Sequence, residues 1–194
     1  MLQGARVSFQ YIGQWQVHDG AGCRKYANRA ERRRFLATAD GEVPELRAFL
    51  YVLAFTGCRV SEALALKRCQ LDPDAKTITF QTLKRRRLIF RTMPVPAPVA
   101  AMLMGLGTSE EGRFWLMHRV TAWRHVKRVM AAAHVRGPMA CCRGLRHGFG
   151  MHAAISHVPP NLIQRWMGHA SASTTAIYLD AVGAEERCFA KRMW

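Results

Sequence analysis

Five side chains of this sequence could together transfer a phosphodiester. Tyr178 carries a hydroxyl that can act as a nucleophile, but its ordinary pKa of about 10 means that neighbouring cations must help it to lose its proton. Arg59 and Arg146 can clamp the non-bridging oxygens of a phosphate through paired hydrogen bonds. Lys84 and His169 can carry protons to or from the reacting oxygens. The set predicts attack of a tyrosine on a phosphodiester, without a metal or other cofactor.

These residues stand in short stretches whose local sequence fixes the backbone around them. Arg59 follows Gly57 at the corner between two predicted helices, so short segments on both sides define its position. Arg146 lies 32 residues before Tyr178, and His169 lies nine residues before it, directly after a helix-ending glycine. A lone tyrosine on a helix is usually a packing residue, and only this context favours a reactive role for Tyr178.

The composition favours a folded protein with a polyanionic partner. The chain has 194 residues, 29 Lys and Arg against 13 Asp and Glu, and a formal net charge of +16. Since 49% of the residues are hydrophobic and only 22% are charged, the cations belong to a globular domain and not to a disordered tail. Arginine grips phosphate through two parallel hydrogen bonds, so DNA is the expected partner. No apolar run is long enough to span a membrane.

The cysteines and the N-terminal residues indicate a cytoplasmic protein. The N-terminus lacks the unbroken apolar segment of a signal peptide. The six cysteines have no metal-ligand spacing, and we expect them to be reduced thiols. They are Cys23, Cys58, Cys69, Cys141, Cys142 and Cys188.

The pattern along the chain predicts an α+β fold that is mainly α-helical, with a small antiparallel hairpin. Residues 1–27 show no clear period and predict an N-terminal extension or arm. Asn28 and Glu31 have the spacing of a capping box, which opens a helix that continues to about Ala39. Thr121 is predicted to cap a helix over about 122–135. Apolar spacing and turn residues predict further helices near 44–56, from 61, from 98, 145–155, 161–167, from Ser173 or Thr174, and 184–193.

The predicted hairpin carries a run of cations at its tip. Lys76–Gln81 alternates with period two, and Leu88–Met93 is also strand-like. A run of like charges is usually a solvated turn, but on a DNA-binding protein it predicts a finger that reaches the DNA backbone or a groove. The cations of the tip are Lys84, Arg85, Arg86 and Arg87.

Five stretches, in this order, resemble the motifs of the tyrosine recombinases, the phage integrase family. The stretch around Arg59 resembles the first box, whose arginine binds the scissile phosphate. Thr82–Lys84 resembles the segment bearing a mobile lysine, the acid for the leaving 5′ oxygen. Arg143–Phe149 resembles the second box, usually written His-x-x-Arg-His, and Leu162–His169 resembles the third. Ser173–Tyr178 resembles the nucleophile segment. One such motif is weak evidence, whereas five in order are specific.

The resemblance implies a catalytic domain over residues 28–194, with a tail from about residue 179 that docks on a neighbouring protomer. It also implies site-specific breakage and rejoining of double-stranded DNA, in which Tyr178 forms a 3′-phosphotyrosine and a hydroxyl of the partner strand reverses the step. No ATP, metal or other cofactor is expected. The expected assembly is a homotetramer on DNA and a monomer or weak oligomer when free, helped by an accessory DNA-bending protein. We expect a nucleoid-associated cytoplasmic enzyme that recombines or integrates a mobile element.

Two departures from the family pattern bear on the mechanism. Arg143 stands where histidine is usual, and because arginine stays protonated it can bind phosphate but cannot be a base. His169 or another group must then accept the proton of Tyr178, while His147 either supports the catalytic groups or takes part itself. Only about 27 residues precede the catalytic part, where the family usually has a DNA-clamping domain. In this the chain is similar to short single-domain members such as the fimbrial-switch invertases.

Two other functions stay open at this point. A type IB topoisomerase uses the same tyrosine, arginine and lysine chemistry but relaxes supercoils without a specific partner site. A non-catalytic recombinase-like protein would occupy DNA sites without cutting them, which the arginine at position 143 allows. Site-specific cleavage would separate the recombinase from both.

Overall fold

The computed structural model describes residues 17–84, 87–108, 111–179 and 193 of the chain. In these ranges it is mainly α-helical, with one small antiparallel sheet, as the sequence predicts. No helix in the same ranges is long and apolar enough to cross a membrane. In chain order the elements are α1 (Arg29–Ala39), α2 (Pro44–Thr56), α3 (Val60–Leu64), a 3-10 turn (Arg68–Gln70), β1 (Leu71–Asp72), β2 (Thr77–Lys84), β3 (Arg87–Pro94), α4 (Ala97–Met104), α5 (Arg119–Ala132), α6 (Cys142–Ile155), α7 (Pro160–Met167) and α8 (Ser173–Leu179).

The capping box at the start of α1 forms as predicted. The Asn28 side chain accepts from the Glu31 backbone N–H at 2.8 Å, and the Glu31 carboxylate accepts from the Asn28 backbone N–H at 2.9 Å. Glu31 also accepts from Arg24 at 2.6 Å. The segment before α1 is therefore attached to the helical part, and the backbone N–H of Ala27 donates to the Gly144 carbonyl in α6 at 3.0 Å.

The larger hydrophobic core surrounds α2, whose residues Phe49, Leu50 and Val52 are fully buried. This follows from a helix that is apolar on nearly every side and is consequently packed between others. A second, smaller cluster lies where α6, α7 and α8 meet, and it contains Tyr178. Tyr178, the predicted nucleophile, thus has a packing role.

The sheet has the order β1-β2-β3, and β2 and β3 pair as an antiparallel hairpin from Thr77↔Pro94 to Lys84↔Arg87. Both strands continue further toward the tip than the sequence predicts, and the added pairs include Thr82↔Ile89 and Leu83↔Leu88. Arg85 and Arg86, at the predicted tip, lie outside the described residues.

Two details of the helices differ from the predictions. Helix α5 begins at Arg119, where the His118 Nδ1 accepts from the Val120 backbone N–H at 3.3 Å, and Thr121 is not its cap. The helical spacing of Trp123, Val126, Val129 and Met130 predicts that all four lie on one buried face, but Trp123 is 48% exposed. The buried stripe centres on Ala122 and Val126, which leaves Trp123 at its edge.

Candidate active site

Arg59 is fixed at the corner between α2 and α3. Helix α2 ends at Gly57, which adopts a left-handed conformation with φ of 59° against the Phe149 ring. Arg59 then caps α3: its backbone N–H donates to Glu62 Oε2 at 2.8 Å, and its Nη1 donates to Glu62 Oε1 at 2.9 Å. The Arg59 side chain is still 42% exposed, so the rest of its guanidinium is available to a ligand.

Arg146 is held by the carboxyl ends of two helices. Its Nη1 donates to the Gly57 carbonyl at 2.7 Å and its Nη2 donates to the Met167 carbonyl at 2.6 Å. Carbonyls at helix C-termini carry partial negative charge, which suits a cation. Burial, and then the charge of Arg59, lower the pKa of Arg146 to about 10, so that it stays charged at neutral pH.

A buried ion pair lies beneath Arg59. Arg91 on β3 donates to both carboxylate oxygens of Glu62, from Nη1 at 3.1 Å and from Nη2 at 2.6 Å, and both side chains are 5% exposed. Burial alone would raise the pKa of Glu62, but Arg91 overcomes this and holds that pKa at about 2. Our sequence predictions do not include Arg91. The sequence feature that could identify Arg91 is the strand alternation, which places this residue on the inward face opposite Phe80.

Two histidines contact Tyr178, one at its hydroxyl and one at its ring. The hydroxyl lies 2.9 Å from His147 Nδ1, and the His169 ring stacks on the tyrosine ring with centroids 6.0 Å apart. Tyr178 is 2% exposed, and a Cβ at Gly150 would come within 2.6 Å of its ring. Burial raises the pKa of Tyr178 to about 12, although Arg146 acts in the opposite direction. The Tyr178 hydroxyl is therefore protonated in the free protein.

Both histidines are neutral at pH 7. Burial, followed by the charges of Lys25 and Arg146, lowers the pKa of His147 to about 4. Burial, followed by Arg146 and Arg59, lowers the pKa of His169 to about 3. His169 Nδ1 lies 2.9 Å from the Thr175 hydroxyl, and His169 is one of the residues that line the cleft. A neutral imidazole can accept a proton, so the site holds two groups capable of general-base chemistry.

One cleft brings most of the predicted residues together. It is lined by Cys58, Arg59, Val60, Ser61, Arg119, Cys142, Arg143, Arg146, His147, His169 and Tyr178. Arg143 lies exposed in the first turn of α6, whereas Arg119, which our predictions omit, is the first residue of α5. A cation at a helix N-terminus opposes the helix dipole, and this misfit is the signal that could have identified Arg119.

The structure describes the backbone of only two of the four hairpin cations. Lys84 is the last residue of β2 and Arg87 is the first of β3, while Arg85 and Arg86 are outside the described residues. Thr82, two residues before Lys84, donates to Glu62 at 2.8 Å, so this end of β2 adjoins the cleft.

Across the described ranges, no three His, Cys, Asp or Glu side chains are grouped so that they could hold a metal ion.

Comparison with known proteins gives consistent matches. The model of the phage integrase family matches residues 27–184. Tyrosine recombinase XerD of Mycobacterium leprae is 29% identical over 160 residues, which cover 72% of this chain and 49% of XerD. An Escherichia coli resolvase is 28% identical over 174 residues, which cover 70% of this chain and 67% of the resolvase. The chain thus spans about half the length of its XerD relative.

Solved structures share the fold. A crystal structure of XerA recombinase superimposes with a TM-score of 0.71 at 21% identity, covering 87% of this chain and 64% of XerA. The catalytic domain of bacteriophage HP1 integrase gives a TM-score of 0.64 at 23% identity, covering 79% of this chain and 86% of that domain. The helices and the small sheet described above are therefore a known arrangement.

Proposed function

Since the chain belongs to the phage integrase family and has the fold of its catalytic domains, we propose that it is a site-specific DNA recombinase with Tyr178 as its nucleophile. The observation that carries the proposal is the cleft in which Arg59, Arg146, His169 and Tyr178 meet. These groups come from α2–α3, α6, the end of α7 and α8, so the fold assembles them from distant parts of the sequence.

The substrate that suits this cleft is a phosphodiester of double-stranded DNA. Arg59 offers an exposed guanidinium, and Arg146 lies behind it with its orientation set by two carbonyls. Arg143 and Arg119 add exposed cations at the rim, where they suit neighbouring phosphates of the same strand. The net charge of +16 would attract DNA to this surface.

The reaction that follows conserves phosphodiester bonds. The Tyr178 oxygen attacks the phosphorus, a P–O bond to tyrosine forms, and the bond to the 5′ oxygen breaks. Lys84, at the end of β2, is the proposed donor of the proton that the 5′ oxygen takes up. A 5′ hydroxyl of a second strand then attacks the phosphotyrosine, releases Tyr178 and joins the strands. One bond forms for each bond broken, so ATP is not needed.

His147 is the proposed acceptor of the proton of Tyr178, because its Nδ1 lies 2.9 Å from the hydroxyl. The pKa values of about 12 and about 4 differ by about eight units. Complete transfer before attack would therefore cost on the order of 11 kcal/mol at about 1.36 kcal/mol per unit. The proton must consequently move as the O–P bond forms, when the tyrosine oxygen becomes far more acidic.

Exchange between two DNA duplexes requires four strand cleavages, and each chain supplies one tyrosine. We therefore propose that four copies act together on paired sites, that the free protein is a monomer or weak oligomer, and that a DNA-bending protein assists assembly. The proposed place of action is the cytoplasmic nucleoid. Docking of the tail on a neighbouring copy remains a prediction, since nearly all of residues 179–194 lie outside the described residues.

Covalent trapping tests the proposal. Nicked duplexes that tile the DNA flanking the gene should give an SDS-stable protein–DNA adduct with the wild-type chain. Tyr178→Phe should give none, whereas Tyr51→Phe, which removes a hydroxyl bonded to Asp40 at the surface, should give the wild-type amount. An adduct that persists in Tyr178→Phe would refute the assignment of the nucleophile. Adducts at every sequence would favour a topoisomerase, and site-specific binding without an adduct would favour a non-catalytic DNA-binding protein.

A further inference from the structure

Glu62 is shared by two arginines that face different surroundings. Arg91 is buried and makes a two-pronged contact with the carboxylate, from Nη1 at 3.1 Å and from Nη2 at 2.6 Å. Arg59 makes a single side-chain contact with the same carboxylate, from Nη1 at 2.9 Å, and points into the cleft. One arginine thus takes the paired geometry and the other keeps most of its donors free.

The two arginines compete for the same carboxylate. A buried carboxylate is strongly unfavourable without a cation, so Glu62 must be neutralised by one of them. Arg91 does this from the inner side of the sheet, where DNA cannot reach it. If Arg91 were absent, Glu62 would draw the Arg59 guanidinium into the paired contact and away from the phosphate.

The net charge of the site also indicates that Arg91 supports phosphate binding. The three guanidinium groups and one carboxylate, Arg59, Arg91, Arg146 and Glu62, leave two net positive charges beside the phosphate. Negative charge on a phosphodiester grows as the tyrosine oxygen adds to it, and fixed cations stabilise this change. Without Arg91 one net positive charge remains, because Glu62 then offsets one of the two charges of Arg59 and Arg146.

Arg91 also contacts two other parts of the site. Its Nε donates to the Trp166 carbonyl at 2.9 Å, and its guanidinium bonds the Thr82 hydroxyl on the strand that carries Lys84. A Cβ at Gly168 would lie 3.1 Å from Arg91 Nη1, so the turn before His169 is packed directly against this guanidinium. The same side chain therefore joins α3, β2 and the end of α7.

We propose that Arg91 is a positioning residue that neutralises Glu62 from within the fold and thereby keeps Arg59 free to bind the scissile phosphate. This inference rests on the proposed function only for the identity of the phosphate. The geometry it assigns to Arg59 can be tested in the absence of DNA.

The cleavage test uses adduct formation by the folded variants. Arg91→Met should slow the reaction by roughly 100-fold, the usual effect of losing one group that stabilises charge in a transition state. Adding Glu62→Gln should restore at least about ten-fold, because the amide has no charge with which to capture Arg59. Arg128→Met removes a comparable two-pronged contact with Glu42 on the surface, and should leave the rate unchanged. A purely structural role predicts that the double variant is no faster than Arg91→Met.

Crystal structures of the DNA-free variants give the second readout. In Arg91→Met the Arg59 guanidinium should donate to both Glu62 oxygens, and in the double variant it should turn back to the cleft. If Arg91→Met does not fold, Arg91→Lys takes its place, with an expected loss of about ten-fold and the same rescue. A wild-type chain that forms no adduct would refute the proposed function but not the role of Arg91. An Arg59 that keeps its single contact in the Arg91 variant, or the absence of rescue, would overturn the role of Arg91.

Discussion

Lowering the pH from 7 to 5 should destabilise the folded protein through its two buried histidines. In the unfolded chain His147 and His169 take up protons near their ordinary pKa of 6.5, but in the fold they do so only near 4 and 3. Between these values the unfolded chain binds more protons, so the free energy of unfolding falls as the pH drops below 6.5. At about 1.36 kcal/mol per pKa unit, the loss between pH 7 and pH 5 is about 2 kcal/mol for each histidine.

Urea denaturation at the two pH values measures this effect. Wild type should lose roughly 4 kcal/mol from the two histidines, and His147→Gln should lose about 2 kcal/mol less than wild type. Glutamine can still accept from the Tyr178 hydroxyl but cannot titrate. Carboxylates such as Glu62 take up protons in the unfolded chain near 4.5, so they contribute little above pH 5.

The control is Gly105→Ala, which alters no titratable group and whose Cβ would lie 3.6 Å from its nearest neighbours. This variant should keep the wild-type pH dependence. If His147→Gln also keeps the whole wild-type dependence, His147 is not held neutral by the fold, and its role as proton acceptor loses its basis.

Two further substitutions test packing and DNA contact. Gly144→Ala should lower the free energy of unfolding by about 2 kcal/mol or more, because its Cβ would lie 1.9 Å from the Met139 carbonyl oxygen. Gly105→Ala, whose Cβ would lie 3.6 Å from its nearest neighbours, should leave the melting temperature nearly unchanged. Equal melting temperatures of the two variants would contradict the close contact between Gly144 and Met139. Arg119→Gln should reduce the slope of log K against log salt for duplex DNA by about 0.9, as expected for one lost phosphate contact. Anisotropy titrations that give the wild-type slope would exclude Arg119 from the DNA interface.

Local signals were sufficient for much of the fold. The α1 capping box and the glycines that end α2 and α7 depend on residues within one turn, and the structure has all three where we predict them. The sequence does not indicate the start of α5, because His118, which caps that helix, is an unusual residue in this position. The fold class itself follows from the helical periods together with one alternating segment.

The groups of the candidate site were easier to predict than their contacts. Arg59, Arg146 and Tyr178 stand in local motifs, and the cleft contains all three. The partner of the Tyr178 hydroxyl is 31 residues away in sequence, and the partners in the Glu62–Arg91 pair are 29 residues apart. Such contacts depend on how helices and strands pack, which local spacing does not encode.

The contact between His147 and Tyr178 also gives a physical reason why arginine can stand at position 143. Arg143 and His147 are four residues apart on α6 and line the same cleft. Burial is the main cause of the lowered pKa of His147, and the charge of Arg143 acts in the same direction, so that the imidazole stays neutral and able to accept a proton. A histidine at position 143 is then not required as the base, and a permanent cation there can hold a phosphate instead. Under this division of roles, Arg143→Gln should weaken DNA binding more than it slows cleavage of bound DNA, whereas His147→Phe should do the reverse.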